Sequence, residues 1–142
     1  MPNITLNQAN TIIAASISKG AELGLKPLSI AVLDPGGHLI AFQRQDGASN
    51  LRPQIAAAKA SSALALGISS RKIGDMAAER PSFVAALGAL APDGIVPAAG
   101  GVIILGADGL SAGAVGITGD SSDNDEACAL AGIAAAGLAA QL

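Results

Sequence analysis

Phe42 and Phe83 are the only aromatic residues of this chain, which has no Tyr and no Trp. Its interior therefore has to be built from Ala, Val, Leu and Ile. Side chains that small reach the packing density of a protein core only when the elements carrying them lie close together. The 18 glycines bear on the same point, because glycine is the residue that lets one backbone approach another. A chain of 142 residues can bury roughly 70% of its unfolded surface, so one domain over residues 1–142 is expected.

Hydrophobic residues make up 51% of the chain and charged residues 13%, so exposed apolar surface is expected and a homo-oligomer would bury it. The net charge of −3, the lack of a basic run and the lack of stacking aromatics argue against nucleic acid as a partner. Cys128 is the single cysteine, which excludes an internal disulfide and a zinc site built on several thiolates. The segment MPNITLNQANTIIAAS has no basic region ahead of its apolar run and does not read as a signal peptide. The low-charge stretch from Cys128 to Leu142 is too short and alanine-rich for a membrane span. A cytoplasmic protein with no membrane partner is the expectation.

Local signals order the elements. Thr5 and Gln8 form a capping box, apolar residues then recur at helical spacing, and Gly24 with Pro27 ends the first helix. LSIAVLD and HLIAFQR, separated by Pro35-Gly36-Gly37, read as a β-hairpin. Alternation puts Leu39, Ala41 and Gln43 on one face and His38, Ile40, Phe42 and Arg44 on the other. Pro53 opens a second helix that stops near Gly67; Ser69 or Ser70 caps a third, and Pro81 opens a fourth. VIIL and LSAGAVGIT make a second hairpin, and Asn124 to Gln141 reads as a last helix. Two hairpins among helices imply antiparallel pairing and an α+β class.

The segment IAVLDPGGHLIAFQRQDGAS resembles the first hairpin of the GlcG/HbpS family of glycolate-operon and haem-binding proteins. AAAKASSALALG resembles the family's A-x-x-K-A-x-T-A helix, and VPAAGGVIILGADGLSAGAVGITGDSSDNDEACALAG resembles its C-terminal half. The resemblance runs along nearly the whole chain in the right order. It implies a profilin-like fold, an antiparallel β-sheet flanked by helices, and a homo-oligomer. It also implies haem as a cofactor of some members, among them the similar C-terminal domain of PduO-type adenosyltransferases. Three positions depart from the pattern: Ser62 replaces the usual Thr, Gln45 the usual Met, and Val102-Ile103-Ile104 a segment that usually holds Pro.

Each candidate site has a plain structural alternative. His38, the only imidazole in the chain, is a candidate haem ligand. It reads more simply as a solvated residue past a turn, since no orienting partner is visible. Arg44 and Asp46 can clamp a carboxylate, or merely pair across the Asp46-Gly47 turn. Lys59 amid alanines is a candidate for acid–base work or anion binding, with Ser62 on the same helix face, or else a lysine that snorkels to the surface. Gly100, Gly101 and Gly119 can offer backbone N–H groups to an anion or can simply shape turns. Asp120, Asp123, Asp125 and Glu126 suit the acidic first turn of a helix better than a metal site. Asp75 with Glu79 suits a solvated face, and Met76 and Cys128 suit the core.

The sequence thus points to a small-ligand-binding protein with haem or a related tetrapyrrole as the leading ligand. An apolar face would take the macrocycle, and Lys59, Arg44 or backbone amides its propionates. An enzyme acting on a small organic acid through Arg44, Lys59 and Asp120 is the alternative, and a structural or regulatory homo-oligomer is a third. The expected architecture places Lys59 and Arg44 in one crevice.

Overall fold

The computed structural model describes residues 3–142. Helix α1 (Leu6–Leu23) starts as its sequence dictates: the Gln8 N–H donates to Thr5 Oγ1 and the Thr5 N–H donates to Gln8 Oε1, both at 3.0 Å. Gly24, at φ 66°, closes it. Strands β1 (Ser29–Leu33) and β2 (Leu39–Arg44) form the first hairpin, in a register that sets Ser29 opposite Arg44 and Ala31 opposite Phe42. Helices α2 (Arg52–Leu66), α3 (Ser70–Glu79) and α4 (Pro81–Leu90) follow, the last two opened by the Ser69 cap and by Pro81. Strands β3 (Gly101–Leu105) and β4 (Ser111–Thr118) form the second hairpin, and α5 (Ser122–Ala135) comes after it, capped by Ser121.

The last helix ends sooner than its composition implies. It stops at Ala135 rather than running to Gln141, and Gly137 at φ 73° turns the chain back. Residues Ala139–Gln141 then pair with β3 as a short strand, β5. The open edge of β3 and a hydrogen bond from Gln141 Nε2 to the Gly67 carbonyl hold it there. Both are non-local, so no pattern within the segment signals the change. The sheet order is β2-β1-β4-β3-β5, antiparallel at every junction. The class is α+β.

α2 crosses one face of the sheet, against β1, β4 and β3, while α1 and α5 pack together on the other. The main core lies between the sheet and α1 and α5: Ile30, Val32, Val115 and Ile117 meet Ile12, Ile13 and Ile133 there. On the α2 face the contact is backbone to backbone. A Cβ on Gly116 would run into the Ala56 carbonyl oxygen, and one on Gly101 into that of Lys59. These glycines let an alanine-lined helix lie nearly on the strands, which is how this face packs without large side chains. The same device recurs between α1 and α5, where Gly132 faces the Ile12 carbonyl.

Two glycine substitutions separate close approach from chain entropy. Gly116→Ala is expected to destabilise the protein by about 1–3 kcal/mol or more, since neither backbone can yield freely. Gly88→Ala, in α4 with nothing within 4 Å of the new methyl, is expected to stabilise it by about 0.5–1 kcal/mol. Denaturant unfolding of both variants reads the two signs.

Candidate functional site

Lys59 does not reach the surface. It is 3% exposed; its Nζ donates to the Ile117 carbonyl at 2.9 Å and pairs with Asp125 Oδ2 at 3.3 Å. Asp125 comes from the first turn of α5, after the Ser121 cap, and also accepts the Asp120 N–H at 3.0 Å. Burial pushes the lysine down from its ordinary pKa and the aspartate up, and the charge of each opposes the shift of the other. The pair links α2 on one face of the sheet, the end of β4, and α5 on the other face. Gly100 belongs to this cluster: a Cβ there would stand 2.8 Å from Lys59 Nζ. Gly101 donates its N–H to Ser70 Oγ at 2.7 Å. Ser62 is fully buried, donating to the Ala58 carbonyl and accepting the Val96 N–H at 2.9 Å. Lys59, Ser62, Gly100 and Gly101 therefore form one packed internal group.

Arg44 and Asp46 sit elsewhere, at the end of the sheet where β1 begins. With Leu25, Pro27 and Gln45 they line an open groove of about 460 Å³. Gln45 accepts the Leu28 N–H at 2.8 Å, so this residue fastens the loop to the start of β1. Beside it lies a second groove of about 200 Å³, which includes Lys26, Ser49, Arg52 and Gly119. Arg52 Nη1 donates to Thr118 Oγ1 at 2.7 Å. In the same row across the sheet, Ser29 Oγ is buried without a hydrogen-bond partner. The expected crevice shared by Lys59 and Arg44 is not formed. The close seating of α2 turns the lysine inward onto Ile117 and Asp125, while Arg44 stays on the edge strand.

Asp120 accepts the Lys26 N–H at 3.1 Å and the Asn124 side-chain amide at 2.9 Å. Those hydrogen bonds lower its pKa from 3.8 to about 2, led by that of Asn124. A carboxylate so firmly ionised is badly matched to moving protons near neutral pH. Asp123 and Glu126 both pair with Arg71 of α3. Among the described residues no group of three or more His, Cys, Asp or Glu side chains comes together to hold a metal ion. Cys128 is buried, and its thiol is pushed up by that burial.

At the opposite end of β2, about 20 Å along the strand from Arg44, His38 stands at the mouth of the first hairpin. Its Nδ1 lies 3.1 and 3.2 Å from the two oxygens of Asp34. Asp34 Oδ1 also accepts the N–H groups of Gly36 and His38, at 2.9 and 3.0 Å. The His38 N–H, more than any other group, holds the Asp34 carboxyl below its ordinary pKa. His38 shares a groove of about 350 Å³ with Ser61, Leu64 and Ala65 of α2 and with Pro92 and Asp93. A further groove of about 290 Å³ adjoins it through Ala65 and Pro92, and is walled by Leu66, Leu87, Leu90 and Ile95.

Sequence reasoning missed Arg52 and the orienting role of Asp34. Arg52 directly precedes the proline that opens α2, a place where a side chain naturally points past the helix end. Asp34 was within reach of sequence analysis: an Asp ahead of Pro-Gly-Gly commonly bonds backbone N–H groups two or more residues on. No helix among the described residues is long and apolar enough to cross a membrane.

A family model described as "HbpS-like: Haem degrading protein HbpS-like" matches residues 4–134. No curated protein matches the sequence. Among solved structures, the Klebsiella pneumoniae protein ORFY is similar at 26% identity, covering 96% of this chain and 92% of that one, with a TM-score of 0.86. A double mutant of Streptomyces reticuli HbpS is 27% identical, covers 94% and 87%, and gives a TM-score of 0.80. A complex of PduOC with haem, at 21% identity over 99% of both chains and a TM-score of 0.87, shares the fold.

Two predictions follow from the internal group. Lys59→Met leaves Asp125 buried without its counter-charge and should cost about 3–5 kcal/mol, whereas adding Asp125→Asn should recover part of the loss. Unfolding free energies of the two single variants and the double variant measure this. The second concerns acid. The folded-state pKa of Asp120 is depressed, so its contribution to stability is whole above about pH 4 and drains away as the pH falls from 3.8 towards 2. Asp120→Asn should flatten that part of the acid-unfolding curve and leave the remainder unchanged.

Proposed function

The chain belongs to the HbpS-like family, whose pattern spans residues 4–134, and from that premise we propose that it is a small-ligand-binding protein whose ligand is haem or a related tetrapyrrole. One observation carries this reading: the pair of adjoining grooves between α2, α4 and the first hairpin. Leu64, Leu66, Leu87, Leu90, Pro92 and Ile95 give them apolar walls. Their volumes, about 290 and 350 Å³, together fall in the size range of cofactor sites. Leu90, on the rim of the second groove, is 80% exposed and so is available to a ligand seated there.

The residues fit a flat apolar macrocycle better than they fit its charged edge. Lys59 is committed to Asp125 and is not free to meet a propionate. Arg44 lies at the other end of β2. The apolar rim of α2 and α4 would hold the ring and exclude water from one of its faces, and the propionates would remain in solvent. When bound, haem would supply the redox chemistry of its iron. The family description names haem degradation, and the PduOC relative of like fold forms a complex with haem; both favour haem as the ligand.

A second reading rests on the polar end of the sheet. Lys26, Arg44 and Arg52 surround two open grooves beside Gly119, a setting suited to a small carboxylate. A carboxylate that binds there would raise the melting temperature of the protein but not that of Arg52→Gln.

Titration with ferric haem tests the first reading. The protein should shift the Soret band and saturate. Leu90→Asp, at an exposed position, should weaken binding by roughly tenfold without altering the circular dichroism, since burying a charge against the ring is unfavourable. A flat Soret titration of the unaltered protein sinks the proposal.

A further inference from the structure

Resting on the haem reading above, we infer that His38 is the axial ligand for a metalloporphyrin seated in the groove between the first hairpin and α2, with Asp34 as its positioning residue. The hairpin mouth is built around the imidazole. Asp34 engages Nδ1 with both carboxylate oxygens and is itself fixed by the N–H groups of Gly36 and His38. Gly36 makes room for the ring: a Cβ there would lie 2.8 Å from His38 Cε1 and 2.9 Å from Nδ1. A carboxylate against Nδ1 suits the tautomer that donates from that nitrogen and leaves Nε2 as the acceptor, the arrangement that orients metal-ligating histidines.

Nε2 makes no hydrogen bond among the described residues, and the side chain is 80% exposed at the edge of a groove whose walls are Leu64, Ala65 and Pro92, with Ser61 and Asp93 as its polar members. A free metal ion does not suit this place, because no group of three potential ligands exists among the described residues. A metalloporphyrin does: the macrocycle supplies four nitrogen donors, so one imidazole suffices, and the apolar wall beside the imidazole suits the ring. Haem iron accepts a single histidine in this way. Arg44, Lys59 and Asp120 have no part in the arrangement.

Parallel titrations with ferric haem and with metal-free protoporphyrin separate this inference from the reading beneath it. In the unaltered protein both should bind, and ferric haem should give the spectrum of an imidazole-ligated iron. His38→Ala should lose that spectrum and roughly tenfold or more in haem affinity, while binding metal-free protoporphyrin as before. Added imidazole should restore the ligated spectrum. Asp34→Asn should weaken haem binding by about tenfold through the orientation of the ring. If His38→Ala binds ferric haem with an unchanged Soret band, the ligand assignment is overturned and the haem reading stands. If His38→Ala loses metal-free protoporphyrin equally, the side chain packs against the ring, and the assignment is again overturned. If the unaltered protein binds neither porphyrin, the haem reading falls and this inference goes with it.

Discussion

The close seating of α2 on the sheet governs this structure. A helix lined by Ala56, Ala60 and Ala63 carries little apolar area to bury, so its attachment depends on distance: dispersion contacts weaken sharply when a gap of even half an ångström opens. Gly101 and Gly116 remove the side chains that would hold it off, and they stand opposite one another on β3 and β4. Once α2 is that low, no space remains between helix and strands for a ligand. Whatever the protein binds has to sit where the elements diverge, at the ends of the sheet and along the outer rim of α2.

The same closeness accounts for the ion pair beneath the helix. Lys59 projects from α2 towards a sheet that has no room for its stem to turn outward, so its ammonium meets the Ile117 carbonyl and Asp125. A buried pair of this kind is a poor net stabiliser, because desolvation of both ions offsets much of their attraction. Its consequence is geometrical. α5 is obliged to present its second acidic residue at one point beside β4, and Asp125 in turn holds the Asp120 N–H. Asp120 then carries the chain between the first helix and β1 through the Lys26 N–H. One lysine thereby fixes the relation between the two faces of the sheet and the loop on its polar end.

Much of this was legible in the sequence where the determinants are local. The Thr5–Gln8 cap, the Gly24 stop, the Ser69 cap and both hairpins rest on residues a few positions apart, and each formed where its signals stood. The α+β class followed from the hairpins, and the family from motifs spread along the chain. What escaped is non-local. Ala139–Gln141 has the composition of a helix end, and only the vacant edge of β3 makes it a strand. The partner of Lys59 lies 66 residues away, and nothing in A-x-x-K-A indicates whether that lysine turns in or out. Its burial is decided by two glycines on other strands. His38 is an intermediate case: its orienting carboxylate is four residues upstream, but the bond depends on how the Pro-Gly-Gly turn folds back.

The sheet ends differ in chemistry because different residues meet there. At the start of β1 the loops that enter that strand and α2 bring Lys26, Arg44 and Arg52 near Gly119, where anions are favoured and apolar surface is scarce. At the other end of β2 the hairpin mouth meets the rim of α2 and the chain that leaves α4, so leucines line the space and the one imidazole stands at its edge. The strand between them holds the two settings about 20 Å apart. Under the proposed readings, a ligand with an apolar body and a need for one nitrogen donor suits the hairpin end, and a small anion suits the other. The separation follows from the low seating of α2, which closes the middle of the sheet to both.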